Sequence, residues 1–195
     1  VAVRAVRFCE EYDLWWAGRR RCWPFGGTVI AARILVAGVG NVFLGDDAFG
    51  VEVVRALAGR RMPDGVRVVD FGIRGLDLAY AMLDGYDAMI LVDAVRRGGS
   101  AGTVRVLEVD PPRPEEPGAT DLTVEGHNLD PARVLRLAAA MGSPVQRLFV
   151  VGCEPGPLDE LDEMAAGLSE PVRAAVGEAV VLVEALVRQI SVRVG

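Results

Sequence analysis

The stretch that decides the fold is Arg33-Ile34-Leu35-Val36-Ala37-Gly38-Val39-Gly40-Asn41-Val42-Phe43-Leu44-Gly45-Asp46-Asp47-Ala48-Phe49-Gly50. Its first part, Arg33 to Gly38, is a short apolar run closed by glycine, the pattern of a strand buried on both faces. Its last residues enter a helical pattern from about Ala48 to Gly59. Val51, Val54, Leu57 and Ala58 share one stripe there, and Gly59 and Pro63 mark the end. A buried strand, a glycine-rich loop and an amphipathic helix form the opening unit of a parallel α/β sheet.

The same alternation continues towards the carboxyl end. Val66–Asp70 reads as a second strand, and Gly75–Leu83 as a helix with Leu76, Ala79, Tyr80 and Leu83 inward. Ala88–Val92 is a third strand that ends at Asp93. Thr103–Val109 alternates as a half-exposed edge strand, in antiparallel sense. The prolines of Asp110–Gly118 exclude regular structure there. Pro131–Met141 is a helix with Val134, Leu135, Ala138 and Met141 inward, and Arg147–Val151 is the last strand. Ser169–Ile190 is a long helix, with Ser169 as N-cap, Pro171 behind it, and a stripe of Val172, Val176, Ala179, Val183, Leu186 and Ile190. The expected architecture is α/β, a three-layer α-β-α sandwich around a mostly parallel five-stranded sheet. Residues 33–195 form its single domain.

Sheets of this type bind ligands beyond the carboxyl ends of their strands, where loops and helix amino termini converge. Gly38–Asp47, Asp70–Gly75, Asp93–Arg97 and the loop before the Pro131 helix are therefore expected on one rim. A dinucleotide loop is disfavoured at Gly38-Val39-Gly40, because the third glycine of that fingerprint falls on Phe43, a residue too large for close helix–strand packing. Asp46 and Asp47 would also repel a pyrophosphate from the helix amino terminus. They suit either capping of that helix or the holding of a cation.

Asp70 closes the second strand, and His127, the single histidine, precedes the Pro131 helix. One imidazole and two carboxylates make a sensible donor set for nickel, zinc or iron, with coordination open to water or substrate. Asp47, Asp70 and His127 are thus expected to converge as metal ligands. Gly40, Asn41 and Asp46 are expected to contact substrate. Asp93 has a supporting or capping role. No serine lies in a nucleophile elbow. Cys153, at the end of the last strand, reads as a small buried residue rather than a nucleophile paired with His127.

Composition narrows the classes. The chain has 195 residues, of which 51% are apolar and 25% charged, the mix of one ordinary globular domain. A net charge of -6, with no lysine, argues against a nucleic-acid partner. No apolar run reaches the roughly 20 residues of a membrane span. The 3 cysteines show neither paired spacing nor a CxxC, which fits a reducing compartment. Residues 1–32, with arginine groups and Trp15-Trp16, carry no sustained period. They read as an extension of unknown order, ordered by a partner or arising from a start placed too far upstream. A twin-arginine export signal is rejected, because its apolar region would be Ile34–Val39, the first core strand.

In order along the chain, Gly38-Val39-Gly40-Asn41 with Gly45-Asp46-Asp47 and Gly50, Asp70 with Gly72 and Gly75, Leu91-Val92-Asp93-Ala94, and Gly126-His127-Asn128 resemble the endopeptidases that mature the large subunit of nickel–iron hydrogenases. The resemblance covers about residues 33 to 190. It implies a cytoplasmic peptidase that removes a carboxy-terminal peptide from the large-subunit precursor after nickel insertion. It places the metal ligands on Asp47, Asp70 and His127, with nickel supplied by the substrate and no nucleotide. Asp47 is the residue whose loss is expected to hurt most, with ligand and general base both open as its role. The second motif departs from the Asp-Gly-Gly-Thr frequent in the family, since Asp70-Phe71-Gly72-Ile73 is bulkier. The competing reading on the same scaffold is a non-proteolytic nickel carrier or sensor.

Overall fold

Alternate residues of the central strands enter opposite faces of one sheet, and each face collects its own pair of helices. The computed structural model describes residues 3–5, 32–112, 131–157 and 167–193. Its strands are β1 (Val3–Ala5), β2 (Ile34–Val39), β3 (Val66–Gly72), β4 (Ala88–Ala94), β5 (Val104–Val109) and β6 (Arg147–Cys153). The helices are α1 (Phe49–Leu57), α2 (Gly75–Ala81), α3 (Pro131–Ala140) and α4 (Glu170–Arg193). The sheet order is β1-β5-β6-β4-β2-β3. β2, β3, β4 and β6 are parallel, whereas β5 runs antiparallel to β6.

The expected five strands are all present, and a sixth joins them from the amino end. Val3–Ala5 pairs antiparallel with Leu107–Val109, so β5 does not lie at the border of the sheet. A three-residue strand is too short to leave a periodic signature.

Ile34 and Val36 of β2, Ile90 and Val92 of β4, and Phe149 and Val151 of β6 pack under α1 and α4. Leu35, Ala37, Met89, Leu91 and Leu148 project the other way, under α2 and α3. Every residue of β2 is buried, which is why its apolar run is continuous rather than alternating.

Two helical stripes differ from expectation. In α1, Phe49 and Val53 are buried alongside Val51, Val54 and Leu57, while Ala58 is exposed. That helix touches both the sheet and α4, so its buried surface is wider than a single stripe. In α2 the buried residues are Leu78 and Ala79, followed by Met82 just past its end, whereas Leu76 and Tyr80 face solvent. This helix has only two turns and packs on the sheet and α3 through Leu78 and Ala79, so the face carrying Leu76 and Tyr80 is left uncovered along its whole length. Met141 is also exposed, lying beyond the end of α3.

Close approach of α1 to the sheet depends on two glycines. A Cβ on Gly50 would lie 2.1 Å from the carbonyl oxygen of Val92 and 2.4 Å from that of Val39. A Cβ on Gly38 would lie 2.4 Å from the carbonyl oxygen of Gly50. Phe43 has no part in that contact and is 77% exposed. The helix–strand packing that Phe43 was expected to block is therefore present, supplied from other positions.

Candidate active site

β2 ends at Val39, and the chain must reverse sharply to begin α1. Gly40 makes the reversal, with a φ of 131°. A Cβ there would fall 1.8 Å from the carbonyl oxygen of Asp47. The Gly40 N–H donates to the carbonyl of Gly72 at 3.1 Å, tying the exit of β2 to the exit of β3. Asn41 organises the turn beyond it. Its side-chain oxygen accepts the Phe43 N–H at 3.0 Å, and its carbonyl accepts the Leu44 N–H at 3.0 Å. This is the local Asx geometry that favours asparagine in turns.

A short 3-10 turn, Gly45–Ala48, then carries both acids. The Asn41 N–H donates to Oδ2 of Asp47 at 2.6 Å. Among the described residues it is the one hydrogen-bond donor to that carboxylate. Asp46 is directed differently. Its Oδ2 accepts the Gly156 N–H at 2.8 Å and the Ser169 hydroxyl at 2.9 Å, and its Oδ1 accepts the Ser169 N–H at 2.7 Å. Neither acid caps α1, whose preceding residue is Ala48 with no side-chain cap.

Asp70 lies level with Gly38 in the sheet register, and a register shift follows, so that Val39 pairs with Gly72. The shift leaves Phe71 as the extra residue of β3, a bulge just past Asp70. The Asp70 side chain is 39% exposed, with the Arg55 Nε 3.8 Å from Oδ2. Arg74 braces the backbone beneath, donating to the carbonyls of Asp70 and Phe71. The loops leaving β2 and β3 lead to α1 and α2 on opposite faces of the sheet. Asp47, on the turn that leads to α1, and Asp70, near the end of β3, therefore stand beyond or at the carboxyl ends of two adjacent strands, the edge at which such sheets bind ligands.

Among the described residues no three His, Cys, Asp or Glu side chains form a metal cluster. His127, the third expected ligand, lies outside the described residues. So does most of the proline-rich segment, from residue 113 onward.

A family model described as hydrogenase maturation protease matches residues 51–186. The hydrogenase 2 maturation protease of Escherichia coli is 35% identical over 159 residues, covering 80% of this chain and 92% of that protein. The hydrogenase expression/formation protein HoxM of Azotobacter vinelandii is 37% identical over 145 residues, covering 74% of this chain and 67% of that protein. The chain belongs to the hydrogenase maturation protease family.

Solved structures agree with the assignment. The hydrogenase maturating endopeptidase HybD of Escherichia coli has a TM-score of 0.60 at 30% identity, covering 80% of this chain and 93% of its own. A hydrogenase 2 maturation peptidase from a Thaumarchaeota archaeon has a TM-score of 0.59 at 33% identity, covering 79% and 97%. In this maturation protease Phe71 and Ile73 flank Gly72 just past Asp70. Phe71 is buried, whereas Ile73 is 66% exposed beside the rim.

One organising residue of the protease was not foreseen from sequence. Glu154, just past β6, is 5% exposed and accepts N–H groups from Arg97 and Gly98 at 2.9–3.0 Å. Its Oε2 is 3.5 Å from the Arg105 guanidinium. The Arg97 N–H, with those of Gly99 and Gly98 and the Arg105 charge, holds its carboxyl below the ordinary glutamate range against the opposing cost of burial. The available signal was Gly98-Gly99 behind a buried strand, a loop whose N–H groups can converge on an anion.

Cys153 is fully buried, as expected from sequence. Burial, followed by the nearby Asp46 charge, pushes its thiol up to about 11. Such a thiol is a poor nucleophile near neutrality, because the thiolate is the reactive form.

Proposed function

We propose that this maturation protease is the endopeptidase that removes a carboxy-terminal peptide from the nickel-loaded large-subunit precursor of a nickel–iron hydrogenase. The observation that carries the reading is the pair of rim carboxylates. Asp47 is held by the Asn41 amide, and Asp70 stands near the end of the neighbouring strand β3, which is joined to the Asp47 loop through Gly40 and Gly72. Together with His127 they supply two oxygen donors and one nitrogen donor to a metal that the precursor brings as part of the substrate. A carboxylate and imidazole set of this size binds such a metal modestly and leaves room for the precursor's own ligands. The reaction takes place in the cytoplasm.

The surroundings suit a protein substrate. Phe43, Leu44, Ile73, Leu76 and Tyr80 are exposed on the two rim loops and on α2. Exposed large apolar side chains concentrated at one rim mark a surface that contacts another chain. Gly40 and Asn41 present the loop between those residues and Asp47. Asp47 serves as ligand or as general base for the attacking water, and both roles require a carboxylate held at the scissile bond.

The test uses purified protein with nickel-loaded and nickel-free precursor, read by intact mass. The wild type is expected to shorten only the loaded precursor. Asp47→Ala and Asp70→Ala are expected to lower that rate by about 100-fold or more, the range for a positioned acid–base or ligand group. Binding of loaded precursor with no mass loss would instead make the chain a nickel carrier or sensor.

A further inference from the structure

We infer that Asp46 is a positioning residue of the site, a clamp that sets Asp47 by tying its turn to the far end of the chain. The inference rests on the proposed role of Asp47 and adds a function for its neighbour. Asp46 and Asp47 are adjacent in the four-residue turn Gly45–Ala48, so whatever fixes the backbone at Asp46 also fixes the backbone that carries Asp47. Asp47 reaches forward to Asn41, whereas Asp46 reaches into the β6 exit and the start of α4. Both Asp46 oxygens are engaged, with three donors at 2.7–2.9 Å.

Charge reinforces the contact. Ser169 immediately precedes α4, and its carbonyl accepts the Arg173 N–H at 2.8 Å, so it occupies the N-cap position. Its N–H and hydroxyl both go to Asp46. The carboxylate therefore sits at the positive end of the 24-residue α4 helix. The clamp extends one step further, since the Arg96 guanidinium donates to the Gly156 carbonyl at 3.1 Å. Residues leaving β2, β4 and β6 are thus linked through Asp46 and Gly156. A carboxylate that turned away would give up three hydrogen bonds at once, one of them to the half-buried Gly156 N–H.

The experiment compares wild type, Asp46→Ala, Asp46→Asn and Ser169→Ala by turnover of nickel-loaded precursor and by amide NMR with hydrogen exchange. Asp46→Ala is expected to lower kcat at least tenfold with KM within twofold. Protection at the Gly156 and Ser169 amides should fall, and the Asn41 amide, which reports the Asp47 carboxylate, should shift with them. Ser169→Ala removes one bond of three and should show a smaller loss in the same direction. Asp46→Asn keeps the shape but sets an NH2 group against an N–H donor, and should fall between the two. If Asp46→Ala does not fold, Asp46→Asn and Ser169→Ala carry the comparison.

Loss of protection at Gly156 and Ser169 with an unmoved Asn41 amide and normal kcat overturns the inference, leaving Asp46 a fold-stabilising residue only. Absence of cleavage by the wild type would defeat the proposed function instead. The amide measurements need no substrate and test the clamp independently.

Discussion

The backbone N–H of Asn41 donates to Oδ2 of Asp47 across 2.6 Å, closing the loop from Asn41 to Asp47 over the end of β2. That bond depends on Gly40, because any side chain there would collide with the Asp47 carbonyl. The glycine-rich appearance of the loop is therefore the geometry of an acid held in place. It is not by itself a phosphate cradle.

Gly50 and Gly177 are expected to respond to alanine with opposite sign. Both lie in helices, where alanine is favoured over glycine by about 1 kcal/mol. At Gly177 nothing lies within 4 Å of an added Cβ, so Gly177→Ala should stabilise by roughly that amount. At Gly50 the Cβ would meet two backbone carbonyl oxygens that cannot yield cheaply. Gly50→Ala should destabilise by about 3 kcal/mol. Urea unfolding of both variants checks this, and equal signs would contradict it.

Cys153→Ala is expected to leave precursor cleavage within about twofold of wild type. With a thiol pushed up to about 11, roughly one molecule in a thousand carries the thiolate at pH 8. Iodoacetamide should label Cys153 only after unfolding. Inactivation of the folded protein by labelling at this residue would return the thiol to the mechanism.

Glu154 makes stability depend on acidity. Its carboxyl is depressed in the folded protein, chiefly by the Arg97 N–H. Its contribution is present above the unfolded glutamate value of about 4.3 and is lost as pH falls through the lower folded value. Glu154→Gln should be less stable than wild type at pH 7, and the gap should narrow as pH drops below about 4. Thermal melts from pH 7 to pH 3 measure it. A gap constant across that range would show that the charge is immaterial.

Phe43→Ser with Ile73→Ser should raise KM for the precursor several-fold while kcat and thermal stability stay near wild type. The side chains are 77% and 66% exposed, so little core packing is lost. Unchanged KM would remove the apolar rim from substrate recognition.

The layers, the helices of the domain and the parallel core were legible because buried strands and amphipathic helices have distinct periods. Asp47 and Asp70 were legible for a second reason: acids at strand exits have few places to go except the rim. Three features were hidden. The partners of Asp46 lie 110 and 123 residues away, and no local pattern encodes a hydrogen bond over that separation. Glu154 resembled any strand-end glutamate until Arg97 and Gly98 folded over it. The inward face of α2 was misassigned because Leu76 and Tyr80, apolar and correctly spaced, serve the surface rather than the core. Periodicity reports apolar spacing and cannot tell a buried stripe from one turned towards a partner.

The Asp46 clamp also bears on the order in which the protein is made. The ribosome releases Asp46 and Asp47 early, but their holdfasts at Gly156 and Ser169 emerge more than a hundred residues later. A nascent chain thus carries the acids of its site long before they can be locked. The last part of the clamp arrives with the start of α4, and a product truncated before Ser169 would hold both carboxylates with two of the three clamp bonds missing.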